Sequence, residues 1–419
     1  MRETRGDIQV NNGWAAHGEE ATTMRLILAV LACTAMLVAA PAARNEIQKE
    51  DIFELDKEHN HASAIVELPN GDLMVCWYRG SGERTADDVR IMAARTKKGT
   101  AKWDEPFVLA DVPGFPDTNP VIWMDSKQRL WFYWQTVVAN EWETAVTQVR
   151  ISSDYAGPGE PKWNIAQTLF LRPEGMQAQV EQWAAETPEV KAHARYPELL
   201  KHAGDKYFSR MGWMGRAHPT ELPSGRILVP LYSDGYSFSL MAITDDGGKA
   251  FRASKTIVGA GNIQPSSARR KDGSLVAYMR DNGPPPKRVH VAESKDSGET
   301  WTIARDTDIP NPGTGLEVLA LKDGRWLMIN NDTEKGRYSL ALTISDDEGK
   351  TWKWKRHIEL DTREKQPGSF HYPSIIQARD GSIHASYSVF MNHIPNGQPR
   401  KTIRHARFGV EWVEAGDPK

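Results

Sequence analysis

Short apolar runs alternate with polar turns along most of the chain. Six segments share one layout: an apolar stretch, a tight polar turn and a second apolar stretch. They read VELPNGDLMVCWY from Val66, IWMDSKQRLWFYW from Ile122, TELPSGRILVPLY from Thr220, SARRKDGSLVAYM from Ser267, LALKDGRWLMIN from Leu319 and IIQARDGSIHASY from Ile375. Each predicts two strands joined by a hairpin turn of the Asn-Gly or Asp-Gly kind. The turn glycines Gly225, Gly273, Gly324 and Gly381 stand about fifty residues apart, which fits four strands with their loops.

A second repeat interleaves with the first. Its full form, Ser-x-Asp-x-Gly-x-Thr-Trp, occurs at Ser294–Trp301 and Ser345–Trp352. Looser copies lie at Thr244–Phe251, Ser152–Trp163 and Arg95–Trp103. The Asp accepts backbone N–H groups within a turn, the Gly takes a positive φ and the Trp anchors the hairpin. The repeat is therefore a scaffold staple. Its spacing lacks the ligand density of a calcium loop.

Six such units predict an all-β fold, a six-bladed β-propeller whose ring must close. A terminal strand, from NEIQKEDIFELDKE at Asn45 or TIRHARFGVEWVE at Thr402, is expected to complete the last blade. The pattern breaks between the second and third units. Residues 165–207 have helical composition and apolar spacing near 3.6, so a helical insertion of one or two helices is expected there. It serves as either a plain flank or a wall of the binding cleft.

Residues 1–43 read as an N-terminal extension and signal peptide, with the propeller spanning 44–419. From Met24, Arg25 supplies a positive start, Leu26 to Val38 an apolar core, and AAPAA small residues for cleavage near Ala40 to Ala43. The apolar run is too short for a membrane span, so a secreted or periplasmic protein is expected. With Cys33 removed, Cys76 stands alone and no internal disulfide forms.

A net charge of −3 over 419 residues implies no broad basic surface, which points away from nucleic acid. The 15 tryptophans suit a carbohydrate binder, because flat indoles stack on sugar faces. No His, Asp or Cys spacing resembles a metal-ligand set, and no cofactor is implied. Inner strands of a propeller end around its central channel. That places Arg216 and His218 in GRAHPTELP, Arg79 in WYRGSGE and Asn331 in INNDTEKGR among the candidates there.

The segments NHASAIVELPNGDL, LPSGRILVPLYSDG, IQPSSARRKDGSL, GRYSLALTISDDEGKTW and HYPSIIQARDGSIHASYS resemble the Asp-box sialidase superfamily, in its bacterial exo-α-sialidase-like subgroup. The order of landmarks extends the resemblance over residues 45–415. It implies a retaining glycosidase in which arginines grip a sugar carboxylate, a Tyr attacks the anomeric carbon and an Asp is acid and base. A phenol serves where a carboxylate nucleophile would be repelled by an anionic sugar. Arginine suits a planar anion.

Carried over by position, the resemblance implies Tyr372 as nucleophile, Arg280 and Arg337 as carboxylate ligands, and Asp88 (or Asp87) as acid/base. It also implies two departures. His61 stands where the first arginine is expected, and Gln264 where the Glu that activates the tyrosine is expected. Gln cannot take a proton, whereas His61 can bind an anion or act as a base. Three readings follow. One is a secreted exo-α-sialidase-type hydrolase acting on a glycan. Another is a lyase or deoxy-sugar hydrolase using His61. The third is a propeller that binds glycans without catalysis.

Overall fold

A computed structural model of the chain describes residues 46–100, 102–393 and 400–418. The expected signal peptide lies outside the described residues. Six antiparallel sheets form the six blades of the propeller. Four have simple consecutive order: 59–110, 117–168, 262–310 and 317–360. The third blade runs from Met214 to Ala253 and carries an extra two-residue strand, Thr220–Glu221, paired with its second strand. The sixth joins both chain ends. Ser369–Gln377, Ile383–Met391 and Arg400–Phe408 are its inner three strands, and Gln48–Asp51 pairs with the last as the outermost. Both terminal segments thus belong to one blade, which closes the ring and leaves no open edge between start and end.

The Asp-box turns join third and fourth strands. In the fourth blade, Asp296 accepts from Ser294 Oγ (2.8 Å), Thr300 N (3.0 Å) and Thr300 Oγ1 (2.5 Å), while Gly298 N donates back to Ser294 Oγ (3.0 Å). Asp347 repeats the pattern in the fifth. The glycine has a second duty. A Cβ on Gly298 would stand 2.7 Å from Leu228 of the third blade, and one on Gly349 would stand 2.2 Å from Tyr278 of the fourth. Both sit at positive φ, so turn geometry and close approach of neighbouring blades select the same residue.

Most of the tryptophan also serves packing. Trp77, Trp131 and Trp326 are fully buried in blade cores, and Trp301 and Trp352 pack beneath their Asp-boxes. Among the described tryptophans only Trp142 lines the central cavity.

Helices Met176–Glu186, Pro188–Ala192, Tyr196–Gly204 and Lys206–Arg210 form the insertion. It begins later than its composition suggests. Ile165–Thr168 is the fourth strand of the second blade, paired with Gln148–Ile151. The insertion therefore connects a fourth strand to the next first strand. First strands run away from that face and fourth strands return to it. It is also the face where second strands end and third strands begin, opposite the hairpin turns and Asp-boxes.

A polar hub ties the blades at the axis. His218 Nε2 reaches the carbonyls of Ile65 (3.0 Å) and Ile122 (3.1 Å), and Nδ1 pairs with Glu317 at 2.9 Å. Glu317 also accepts from the backbone N–H of His218 and Ile375, each at 2.8 Å. Two side chains thus link the first, second, third, fifth and sixth blades. Burial opposes charge on Glu317, yet His218 outweighs it and keeps the carboxyl below its usual range.

Candidate functional site

Four inner strands carry the same irregularity near their start. The register slips between His61 and Ala64, Thr118 and Val121, Ile263 and Ser266, and His371 and Ser374. Within each slip one residue takes a positive φ: Ala62, Asn119, Gln264 and Tyr372, at 45–55°. None is glycine, so each position holds local strain of about 1–3 kcal/mol. The bulge turns a side chain away from the strand's normal alternation. Asn119, Gln264 and Tyr372 all line one cavity on the propeller axis. A proline follows each of these three, at a place where the ladder is already broken and no donor is lost.

The cavity holds about 240 Å³, the space of about eight waters and the scale of one sugar unit. Its wall is His61, Tyr78, Glu83, Asn119, Trp142, Tyr232, Asp234, Gln264, Arg280, Arg337 and Tyr372. Second-strand ends supply Tyr78, Tyr232 and Arg280, and the loops beyond them supply Glu83 and Asp234.

Tyr372 is the centre of the arrangement. Arg280 Nη1 donates to its phenol oxygen at 2.8 Å. The guanidiniums of Arg216 and Arg337 lie 5.1 and 5.8 Å from its ring centre. Burial pushes the Tyr372 phenol up, but Arg280, Arg337 and the Gln264 amide outweigh it, leaving the group below the usual tyrosine range. Gly315 makes room for the ring: a Cβ there would stand 2.8 Å from Tyr372 and 3.0 Å from Gln264.

Arg216 is buried beneath the tyrosine and donates to the carbonyls of Tyr372 and Pro373. It supports the wall and does not itself line the cavity. Among the described residues Arg216, Arg280 and Arg337 make no ion pair with a carboxylate. Arg337 donates instead to His371 Nδ1 (2.7 Å) and the Gly313 carbonyl (3.2 Å). Guanidiniums at a cavity wall that are not locked in ion pairs can receive an anion.

His61 stands edge-on to Tyr372, ring centres 4.5 Å apart, with Nδ1 3.0 Å from Ser388 Oγ. Burial, His371, His59 and the nearby arginines push its pKa well below the ordinary histidine value, so its imidazole is neutral. Gln264 donates to Tyr232 at 3.2 Å, and its carbonyl oxygen has no partner.

The two carboxylates of the wall differ. Glu83 accepts from Tyr78 (2.8 Å) and from His59 Nε2 (3.0 Å), whose Nδ1 takes a bond from Lys401 (2.7 Å). Burial would raise Glu83, but these partners outweigh it and hold the carboxyl down. Asp234 lacks such support, and burial raises it against the pull of Arg280. One carboxyl is held below the usual carboxylate range and the other above it.

His59, His61 and Glu83 offer ligand atoms within 4.8 Å of one another. Their hydrogen bonds already use His59 Nε2 and the Glu83 carboxylate, and Lys401 and Arg337 add positive charge. A dication is poorly matched to that set.

The structure therefore brings together Tyr372, Arg280, Arg337, His61 and Gln264, with Arg216 below them. Asp88 and Arg79 lie elsewhere. Asp88 is exposed and closes its own loop by accepting from Ser81 N and Oγ. Arg79 is paired with Asp56 and Glu58. His218 belongs to the axial hub, and Asn331 is a buried bracket between the Ser339 and Phe370 carbonyls. Sequence reasoning missed Tyr78, Glu83, Asn119, Trp142, Tyr232 and Asp234. Arg280, which the resemblance supplied, lies near the end of a second strand, and Tyr78 and Tyr232 hold similar places in theirs. The X-Pro pair that marks Gln264 and Tyr372 also marks Asn119.

Comparison with known proteins agrees with this architecture. The model of the BNR repeat-like domain matches residues 71–385. A sialidase of Bacteroides fragilis (strain YCH46) is 31% identical over 125 residues, covering 28% of this chain and 22% of its own. An anhydrosialidase of Macrobdella decora is 24% identical over 197 residues, covering 42% and 25%. The chain thus spans about a quarter of the length of these curated relatives. The solved leech intramolecular trans-sialidase with 2,7-anhydro-Neu5Ac superposes with a TM-score of 0.62 at 13% identity, covering 85% of this chain and 69% of the other. That likeness describes the fold. With three quarters of its length matched by one family model, the chain belongs to the BNR repeat-like domain family, built on a propeller of the sialidase type.

Proposed function

We propose that the protein is an exported glycosidase that removes a terminal acidic sugar from a glycan. The observation that carries this is the convergence of two guanidiniums without carboxylate partners, Arg280 and Arg337, on one phenol in a sugar-sized cavity. The arginines receive the sugar carboxylate. Tyr372, whose phenol the arginines hold below the usual tyrosine range, forms a bond to the anomeric carbon as the glycosidic bond breaks. Asp234, biased toward its protonated form, gives its proton to the leaving oxygen. Water then cleaves the tyrosyl link and returns a proton to the Asp234 carboxylate, with retention of configuration.

In this reading the arginines take over what a neighbouring carboxylate base would do, so Gln264 is compatible with the chemistry. It orients Tyr232 and the Tyr372 oxygen. His61 is a neutral wall group; its depressed pKa makes it a weak base for elimination. The names of the Bacteroides fragilis and Macrobdella decora relatives, a sialidase and an anhydrosialidase, favour a sialic-acid-type sugar.

The test is hydrolysis of methylumbelliferyl α-sialoside by the wild type, Tyr372→Phe, Arg280→Met and Asp234→Asn. Turnover abolished by the first two, and reduced by the third mainly for poor leaving groups, is expected. A rise in ultraviolet absorbance on an acidic polysaccharide, lost in His61→Ala, would assign elimination instead. Glycan binding without turnover would assign a lectin.

A further inference from the structure

We propose that the helical insertion walls a second subsite, which holds the neutral glycosyl part of the substrate beyond its acidic terminal sugar. This rests on the glycosidase reading above. A groove of about 870 Å³ runs between the insertion helices and the loops of the third and fourth blades, more than three times the volume of the central cavity. Asp234 lines both spaces. The residue assigned to protonate a leaving oxygen thus stands between the cavity and the groove. A glycosidic bond placed there has its acidic sugar on the axis and its remaining sugars under the helices.

The lining fits that occupant. Tyr196 of the insertion is partly exposed on the groove and offers its ring for sugar contact, over a floor of the buried Trp183 and Tyr236. The groove lining is net acidic, whereas the cavity wall sets two carboxyls, Glu83 and Asp234, against two guanidiniums, Arg280 and Arg337. Besides Asp234, the groove lining carries four carboxylates, from Glu186 on the insertion to Asp306 on the fourth blade, against two guanidiniums, Arg195 and Arg305. A chain with acid on every unit would meet repulsion along the groove. A neutral oligosaccharide capped by one acidic sugar would not. The same contrast separates this substrate class from polyuronates.

Two measurements test the subsite. The first is the ratio of kcat/KM on 3′-sialyllactose to that on methylumbelliferyl sialoside, in the wild type, Tyr196→Ala and Ala260→Trp. Tyr196 packs partly against the core, whereas Ala260 is exposed on the groove wall and a bulky side chain there fills the space without disturbing the interior. A fall in the ratio of about tenfold in both variants is expected. The second is saturation-transfer NMR of lactose alone, expected with wild type and lost in Ala260→Trp. Transfer to lactose with neither sialoside hydrolysed would uphold the subsite and sink the glycosidase reading alone. An unchanged ratio, lactose transfer that survives Ala260→Trp, or an oligogalacturonate that competes as well as a neutral sugar would overturn the subsite.

Discussion

Replacing Arg280 with Met removes the one cation among the described residues that donates directly to the Tyr372 oxygen, at 2.8 Å. Met retains most of the apolar stem, so the wall keeps its shape. At a separation of about 4 Å and an effective dielectric near 20, the lost attraction for a phenolate is on the order of 4 kcal/mol. That equals about three pKa units. Arg337 stays in place, 5.8 Å from the ring centre, so a rise smaller than the full loss of attraction is expected. The chain has 11 tyrosines, and the signal of one is isolated by difference. The near-ultraviolet phenolate absorbance is titrated in wild type and in Arg280→Met, each set against the same background carrying Tyr372→Phe. Wild-type Tyr372 is expected to ionise below the ordinary tyrosine value and the variant above it. An unchanged midpoint would refute the idea that arginine, in place of a carboxylate base, activates this residue.

Gly315→Ala places a methyl 2.8 Å from the Tyr372 ring; turnover is expected to fall on the order of 10- to 100-fold with little change in melting temperature, and normal turnover would show that the ring's position is not critical. His218→Ala leaves Glu317 buried without its ion-pair partner and is expected to cost about 3–5 kcal/mol in denaturant unfolding; a loss under about 1 kcal/mol would remove the hub from the account of ring closure. Acid is expected to destabilise the fold. His61 and His371 are held well below their ordinary value by burial, and His384 is pushed down to about 3. Only the unfolded chain binds these protons between the folded value and about 6.5, so each group costs up to about 2 kcal/mol by pH 5. His357, raised by its hydrogen bond to Asp332, works in the opposite sense, as does His218, where Glu317 outweighs the effect of burial. Melting temperatures that are level or rise from pH 7 to pH 5 would contradict the net sign. Cleavage of a leader near Ala40 to Ala43 is expected on export, and an intact mass that retains Met24 would exclude it.

The propeller was legible because its signals are local. Hairpin turns need Gly or Asn at fixed places, and Asp-boxes need a short side-chain acceptor, a glycine and an anchor, so each blade declares itself within about fifty residues. Tyr372, Arg280 and Arg337 were legible through the family resemblance, which carries each over by its place beside a strand of a recognisable hairpin unit. The carboxylates were not. Asp88 and Glu83 occupy the same loop, and only the fold decides that the first turns back to Ser81 while the second reaches Tyr78 and His59. Asp234 lies just after a second strand and Asp281 ends one. Nothing local distinguishes it from Asp281, which folds back onto Gly283, Arg288 and His290. Such differences arise from contacts between segments far apart in the chain, and no periodicity records them.

The central claim is that Tyr372 is a nucleophile held by Arg280 and Arg337 against an acidic sugar. Incubation with a fluorinated, mechanism-based sialic acid reagent, followed by peptide mass spectrometry, addresses it directly. The account predicts a single glycosyl adduct on the peptide containing Tyr372, absent in Tyr372→Phe and greatly slowed in Arg280→Met. An adduct on another residue, or wild-type protein that turns over sialosides yet never labels at Tyr372, would contradict it.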